Sequence, residues 1–71
     1  MDKIFILTII TTSYNRRDLL KKTLDSVLMQ TYPAIEQLVV DAGSQDGTVE
    51  LLKEYEPKFK EKEYRFVWLS E

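Results

Sequence analysis

The chain has 71 residues, room for one small domain, with 12 acidic against 10 basic side chains, a net charge of −2, and no cysteine or histidine. These totals exclude disulfides, thiolate and imidazole chemistry, and zinc sites built on sulfur or nitrogen. A net negative charge also argues against a nucleic-acid partner or an anionic membrane surface, both of which need a dominant basic face. No run approaches the ~20 apolar residues that span a bilayer, and the first ten residues lack the length and basic start of a signal peptide. The expectation is a soluble cytoplasmic chain, or a soluble piece of a larger one, with the cytoplasmic face of the membrane as its other place of action.

In chain order, residues 4–11 read as a strand whose apolar residues fall on both parities, Ile4, Ile6 and Ile10 against Phe5, Leu7 and Ile9. Apolarity on both faces marks a parallel strand covered from two sides. A helix is expected to start at Asn15 as N-cap, with Asp18 at N3 near the positive helix end and Tyr14 and Leu19 at staple positions. Leu20, Leu24, Val27 and Leu28 continue it at helical spacing, and Pro33 forbids extension past Tyr32. Residues 37–40 form a short second strand, closed by "DAGSQDGT". A second helix carries Val49, Leu52 and Tyr55 on one face and is expected to stop at Pro57. The charge-rich "KFKEKE", residues 58–63, reads as a solvated loop, and residues 64–69 as the third strand.

The order is therefore β-α-β-α-β, an α/β chain with a three-stranded parallel sheet. Right-handed crossovers that step in one direction give strand order 3-2-1, with both helices on one face. The other face is then left uncovered, to be filled by a second copy of the chain or by the remainder of a larger α/β domain. The second is favoured, because "VWLSE" closes a strand without the helix that should follow.

Ligands of open parallel sheets lie beyond the carboxyl ends of the strands. Here those ends read "TTSYN", "DAGS" and "SE", and both helix N-termini face the same rim with free N–H donors. An aromatic ring and a carboxylate at adjacent strand tips exceed the polarity that any β-to-α turn would show. Asp41 is suited to accept hydrogen bonds from a base or from ribose hydroxyls, or from the backbone of "GSQDG". Tyr14 offers a face on which a base can stack, or a staple against Leu19. Thr12 and Ser13 either contact a base or cap the turn. Asp46 reads as the N-cap of the second helix, and Gly43 and Gly47 permit positive φ. No dinucleotide fingerprint or P-loop occurs. No complete acid–base or metal site is visible, so no catalytic residue and no metal ligand is assigned.

Three linked motifs stand at fixed spacing: T-x-Y-N after the first strand, S-V-L-x-Q-T-Y-P closing the first helix, and V-D-x-G-S-x-D-G-T after the second strand. Together, "IITTSYNRRDLLKKTLDSVLMQTYPAIEQLVVDAGSQDGT" closely resembles the opening of the family 2 glycosyltransferases, inverting enzymes with the GT-A fold. The resemblance implies that residues 1–71 are the N-terminal part of such a domain, its Rossmann-like nucleotide-binding half. It implies transfer of a sugar from a nucleotide-sugar, UDP-linked in the first instance, to an acceptor hydroxyl with inversion. By resemblance, Thr12 and Tyr14 contact the base and Asp41 reaches the base or ribose, while Gln30, Thr31 and Pro33 shape the turn into the second strand. Where the family commonly has a second acid that reads the base, this chain has Ala42. The divalent cation of the family, Mg²⁺ or Mn²⁺, and the catalytic carboxylate are implied to have their residues beyond position 71, so the chain alone is expected to be inactive. The alternative reading is a small self-associating α/β module without catalysis.

Overall fold

In the computed structural model, which describes residues 7–71, the chain runs β1 (Leu7–Ser13), α1 (Arg17–Leu28), β2 (Ile35–Asp41), α2 (Thr48–Glu61) and β3 (Arg65–Ser70). The part of the expected first strand at residues 4–6 lies outside the described residues. The three strands are parallel in the order β1-β2-β3, with Ser13, Asp41 and Ser70 in register at their carboxyl ends. This is the α/β arrangement that the sequence pattern implies, with both helices on one face.

Strand alternation sorts the side chains. Ile9, Ile35, Gln37, Val39, Phe66 and Trp68 turn toward the helices. There the apolar ones among them meet Leu20, Leu24 and Val27 of α1 and Leu51, Leu52, Tyr55 and Phe59 of α2 in one core. The opposite parity has no cover. Ile10 and Leu69 are 68% and 66% exposed, and Val40 and Val67 stand beside them. Ile10, Leu38 and Val67 pair directly across the three strands, which makes this face a continuous apolar row.

Three local expectations are corrected. Asn15 does not start α1: it adopts φ 48° in the loop, and Arg16 is the residue that precedes the helix. Tyr14 and Leu19, the expected staple pair, are both exposed. Pro57 lies inside α2 rather than ending it. Proline there deletes the hydrogen bond to the Lys53 carbonyl, yet burial of Tyr55 and Phe59 on either side carries the helix through. The expected loop at 58–63 therefore begins as helix. Phe59 is fully buried and stacks on Phe66, ring centroids 4.4 Å apart and planes 15° from parallel.

Both ends of α1 are held from elsewhere in the chain. Asp46 Oδ2 accepts the Arg17 N–H at 2.9 Å. At the far end the Lys62 ammonium donates to the Leu28 carbonyl and, at 3.0 Å, to that of Gln30. An anion at the N-terminus and a cation at the C-terminus both oppose the helix dipole. The Tyr64 hydroxyl donates to the Tyr32 carbonyl at 2.7 Å, fixing the turn that leads into β2. Across the helices, Tyr55 donates its hydroxyl to Asp25, which also takes the Lys21 ammonium at 3.1 Å. Those two donors hold the Asp25 carboxyl below its ordinary range.

Candidate functional site

The carboxyl tips of β1 and β2 open on a cleft of ≈ 470 Å³ lined by Thr12, Ser13, Tyr14, Arg16, Val40 and Ala42. That volume lies within the range of small-molecule sites, about 300–1,000 Å³. Thr12 and Tyr14 are exposed there, Tyr14 at 59%. Sequence alternation explains the lining: Thr12, Val40 and Ala42 share the parity of the open sheet face.

Asp41 has the other parity, and its surroundings differ accordingly. It is fully buried, 0% exposed, and absent from the cleft lining. Ser13 Oγ donates to its Oδ1 at 2.9 Å, and Ser70 Oγ to its Oδ2 at 2.9 Å. The Ser44 N–H donates to Oδ2 at 2.9 Å, and the Ser44 hydroxyl to Oδ1. Burial pushes the Asp41 carboxyl up. The hydrogen bonds from the Ser44 hydroxyl and N–H, then from Ser70 and Ser13, outweigh it and hold the group below its ordinary value. The expected geometry, ring and acid side by side on one cleft, is thus corrected. The tips are adjacent, but the pleat sends the Asp41 carboxylate beneath the rim, where it ties all three strand ends together.

The two loops above the sheet are stitched to each other. The Asn15 N–H donates to Ser44 Oγ at 2.7 Å, and the Gln45 N–H to Asn15 Oδ1 at 2.8 Å. The left-handed backbone of Asn15 is what allows its amide to reach across. Asp46, expected to cap α2, accepts from the α1 backbone at Arg17 and from the Thr48 hydroxyl at 2.5 Å. The residue preceding α2 is Gly47, at φ 89°. Gly43 is required twice over: its φ is +82°, and a Cβ there would stand 2.9 Å from the Glu71 carbonyl oxygen.

A divalent cation finds no ligand set among the described residues: no group of three acidic side chains converges. Asp41 and Asp46 already take hydrogen bonds from serine, threonine and backbone donors. The described residues therefore offer no site for the cation, whose ligands the resemblance puts beyond position 71. No helix among the described residues is long and apolar enough to cross a membrane.

Sequence reasoning overlooked Arg16 and Val40 as lining residues and Ser70 as a partner of Asp41, whereas Ala42 stands in the cleft at the place where the resemblance puts a base-reading residue. The signal for them was the period-2 alternation itself, carried from the strands to their tips.

Comparison with known proteins agrees with this architecture. The family model described as "Glycosyl transferase family 2" matches residues 8–71. The glycosyltransferase TuaG of Bacillus subtilis (strain 168) is 45% identical over 51 residues, 72% of this chain and 20% of that protein. Glycosyltransferase GlyA of Streptococcus pneumoniae serotype 4 is 38% identical over 65 residues, 92% of this chain and 9% of that protein. Glycosyltransferase AglE of Haloferax volcanii is 44% identical over 50 residues, 68% of this chain and 16% of that protein. The chain spans a fifth or less of the length of these relatives.

Proposed function

The chain belongs to glycosyl transferase family 2, and from that premise we propose that its strand-tip cleft holds the nucleotide of a nucleotide-sugar donor, a UDP-sugar in the first instance. On this reading the 71 residues are the N-terminal part of a GT-A domain acting on the cytoplasmic side. The observation that carries the reading is an exposed tyrosine ring and a threonine hydroxyl in an open cleft beyond the carboxyl ends of parallel strands.

Each residue has a distinct part. The Tyr14 ring stacks on the base, and the Thr12 hydroxyl hydrogen-bonds to its edge. Asp41 serves the site from beneath, holding Ser13 and the β2–α2 loop so that Ala42 and Val40 form a fixed floor. In the whole enzyme, the oxygen of an acceptor hydroxyl attacks the anomeric carbon from the side opposite the diphosphate. The bond from that carbon to the leaving oxygen breaks with its electron pair going to the diphosphate, and the configuration inverts. The hydroxyl proton passes to a carboxylate base. That base, and the ligands of the Mg²⁺ or Mn²⁺ ion, lie outside this chain, so the 71 residues alone transfer no sugar.

Calorimetric titration of UDP and GDP into the chain and its Tyr14→Ala variant tests the reading. Base–aromatic stacking is worth ~1–3 kcal/mol, so the variant should bind UDP roughly 5- to 150-fold more weakly with an unchanged melting temperature. Equal affinity in both proteins would remove Tyr14 from the site.

A further inference from the structure

Among the six residues that line the cleft, Arg16 alone is charged at neutral pH. Its guanidinium has no hydrogen-bond or ion-pair partner among the described residues. The neighbouring charges are otherwise engaged. The Arg17 guanidinium lies 3.7 Å from Asp18, and Asp46 accepts from the Arg17 backbone and from Thr48. The Asp41 carboxylate is enclosed by its three serines. No carboxylate lines the cleft, either to neutralise Arg16 or to accept an N–H from a base; the exposed acids nearby, Asp18 and Glu71, stand outside that lining.

A free guanidinium and a free aromatic ring in one cleft suit a ligand that is flat at one end and anionic at the other. A nucleoside diphosphate has that form: the ring takes the base, and the planar fork of donors takes phosphate oxygens. We infer that Arg16 binds the phosphate end of the nucleotide directly, so that this chain distinguishes a nucleoside diphosphate from the bare nucleoside without any metal ion. The inference rests on the nucleotide reading above and deepens it: it assigns charge recognition within the cleft to Arg16. Arg16 lies where β1 leads into α1, two residues from Tyr14, so the two contacts are set by one short stretch of backbone.

The test is titration of UDP, uridine and inorganic pyrophosphate in the presence of a chelator, with the unaltered chain and with Arg16→Gln and Arg16→Lys. The unaltered chain should prefer UDP over uridine by roughly five- to tenfold, and added salt should shrink that preference. Arg16→Gln should bind UDP and uridine alike, Arg16→Lys should keep most of the preference, and uridine affinity should be the same in all three. Equal binding of UDP and uridine by the unaltered chain, or a preference that survives Arg16→Gln, would overturn the role of Arg16 and leave a Tyr14-dependent nucleotide site standing. Pyrophosphate binding as tight as that of UDP would overturn the inference in favour of a free-anion site. Failure of UDP and uridine alike to bind would overturn the nucleotide reading as well.

Discussion

Ser13 donates its hydroxyl proton to Asp41 across the tips of two neighbouring strands, Oγ to Oδ1 at 2.9 Å, at a position from which water is excluded. Ser70 does the same from the third strand, at 2.9 Å. A buried carboxylate is tolerated only when its oxygens are filled, and here every strand end contributes a donor. Asp41→Ala would strand three hydroxyls and the Ser44 N–H. It is expected to destabilise the chain by about 2–4 kcal/mol, since each unsatisfied buried group costs ~1–3 kcal/mol and the hydroxyls can partly reorient. Asp41→Asn keeps one acceptor and should cost less than half as much. Urea unfolding of the two variants measures the difference.

The same carboxylate sets an acid limit on the fold. Its folded-state pKa lies below its ordinary 3.8, because the serine donors favour the charged form more than burial disfavours it. A depressed pKa contributes stability that is full above the unfolded value and is lost as pH falls through the folded one. Asp46 adds in the same direction, held down by the Thr48 hydroxyl and the Arg17 N–H. The melting temperature should stay level from neutral pH down to about pH 5 and fall steeply below pH 4. That steepness should be reduced in Asp41→Asn.

Asp46 offers a separate test of how the two loops support the rim. It accepts the Arg17 N–H at the start of α1 as well as the Thr48 hydroxyl at the start of α2. Asp46→Ala should therefore lower the melting temperature, as loss of a side chain that accepts a helix N-terminal N–H does, and Asp46→Asn should recover most of it. Amide exchange read residue by residue locates the effect. Faster exchange is expected at the start of α1, 29 residues away in sequence, and slowest recovery at the Arg17 amide itself.

Much of this architecture was legible in the sequence because burial follows period. Leu20, Leu24 and Val27 fixed the inner face of α1, and the paired βα units fixed parallel strands with both helices on one side. The misreadings have local physical causes. Pro57 and the charges of "KFKEKE" outweighed, on paper, the spacing of Leu52, Tyr55 and Phe59, although that spacing is what the core enforces. Asn15 looked like a helix cap because its amide can accept a backbone N–H. It does so for Gln45 of the other loop, a partner 30 residues away that no local pattern reveals. Thr12 and Tyr14 were placed on the cleft by the sequence, whereas Asp41 was placed by its nearness to the tip, with pleat direction left out. One residue of offset separates the open cleft, where Ala42 sits, from the serine-lined interior.

The central claim is that the rim at the tips of β1 and β2, on the open-face side, is where a nucleotide sits. Backbone and side-chain chemical-shift mapping of the isotopically labelled chain during UDP titration tests it most directly. The account predicts that the shifts concentrate at Thr12, Tyr14, Arg16 and Ala42, with a smaller response at Ser44 relayed through Asn15. Shifts confined to the row of Ile10, Leu38 and Val67, or spread along α2, would contradict it.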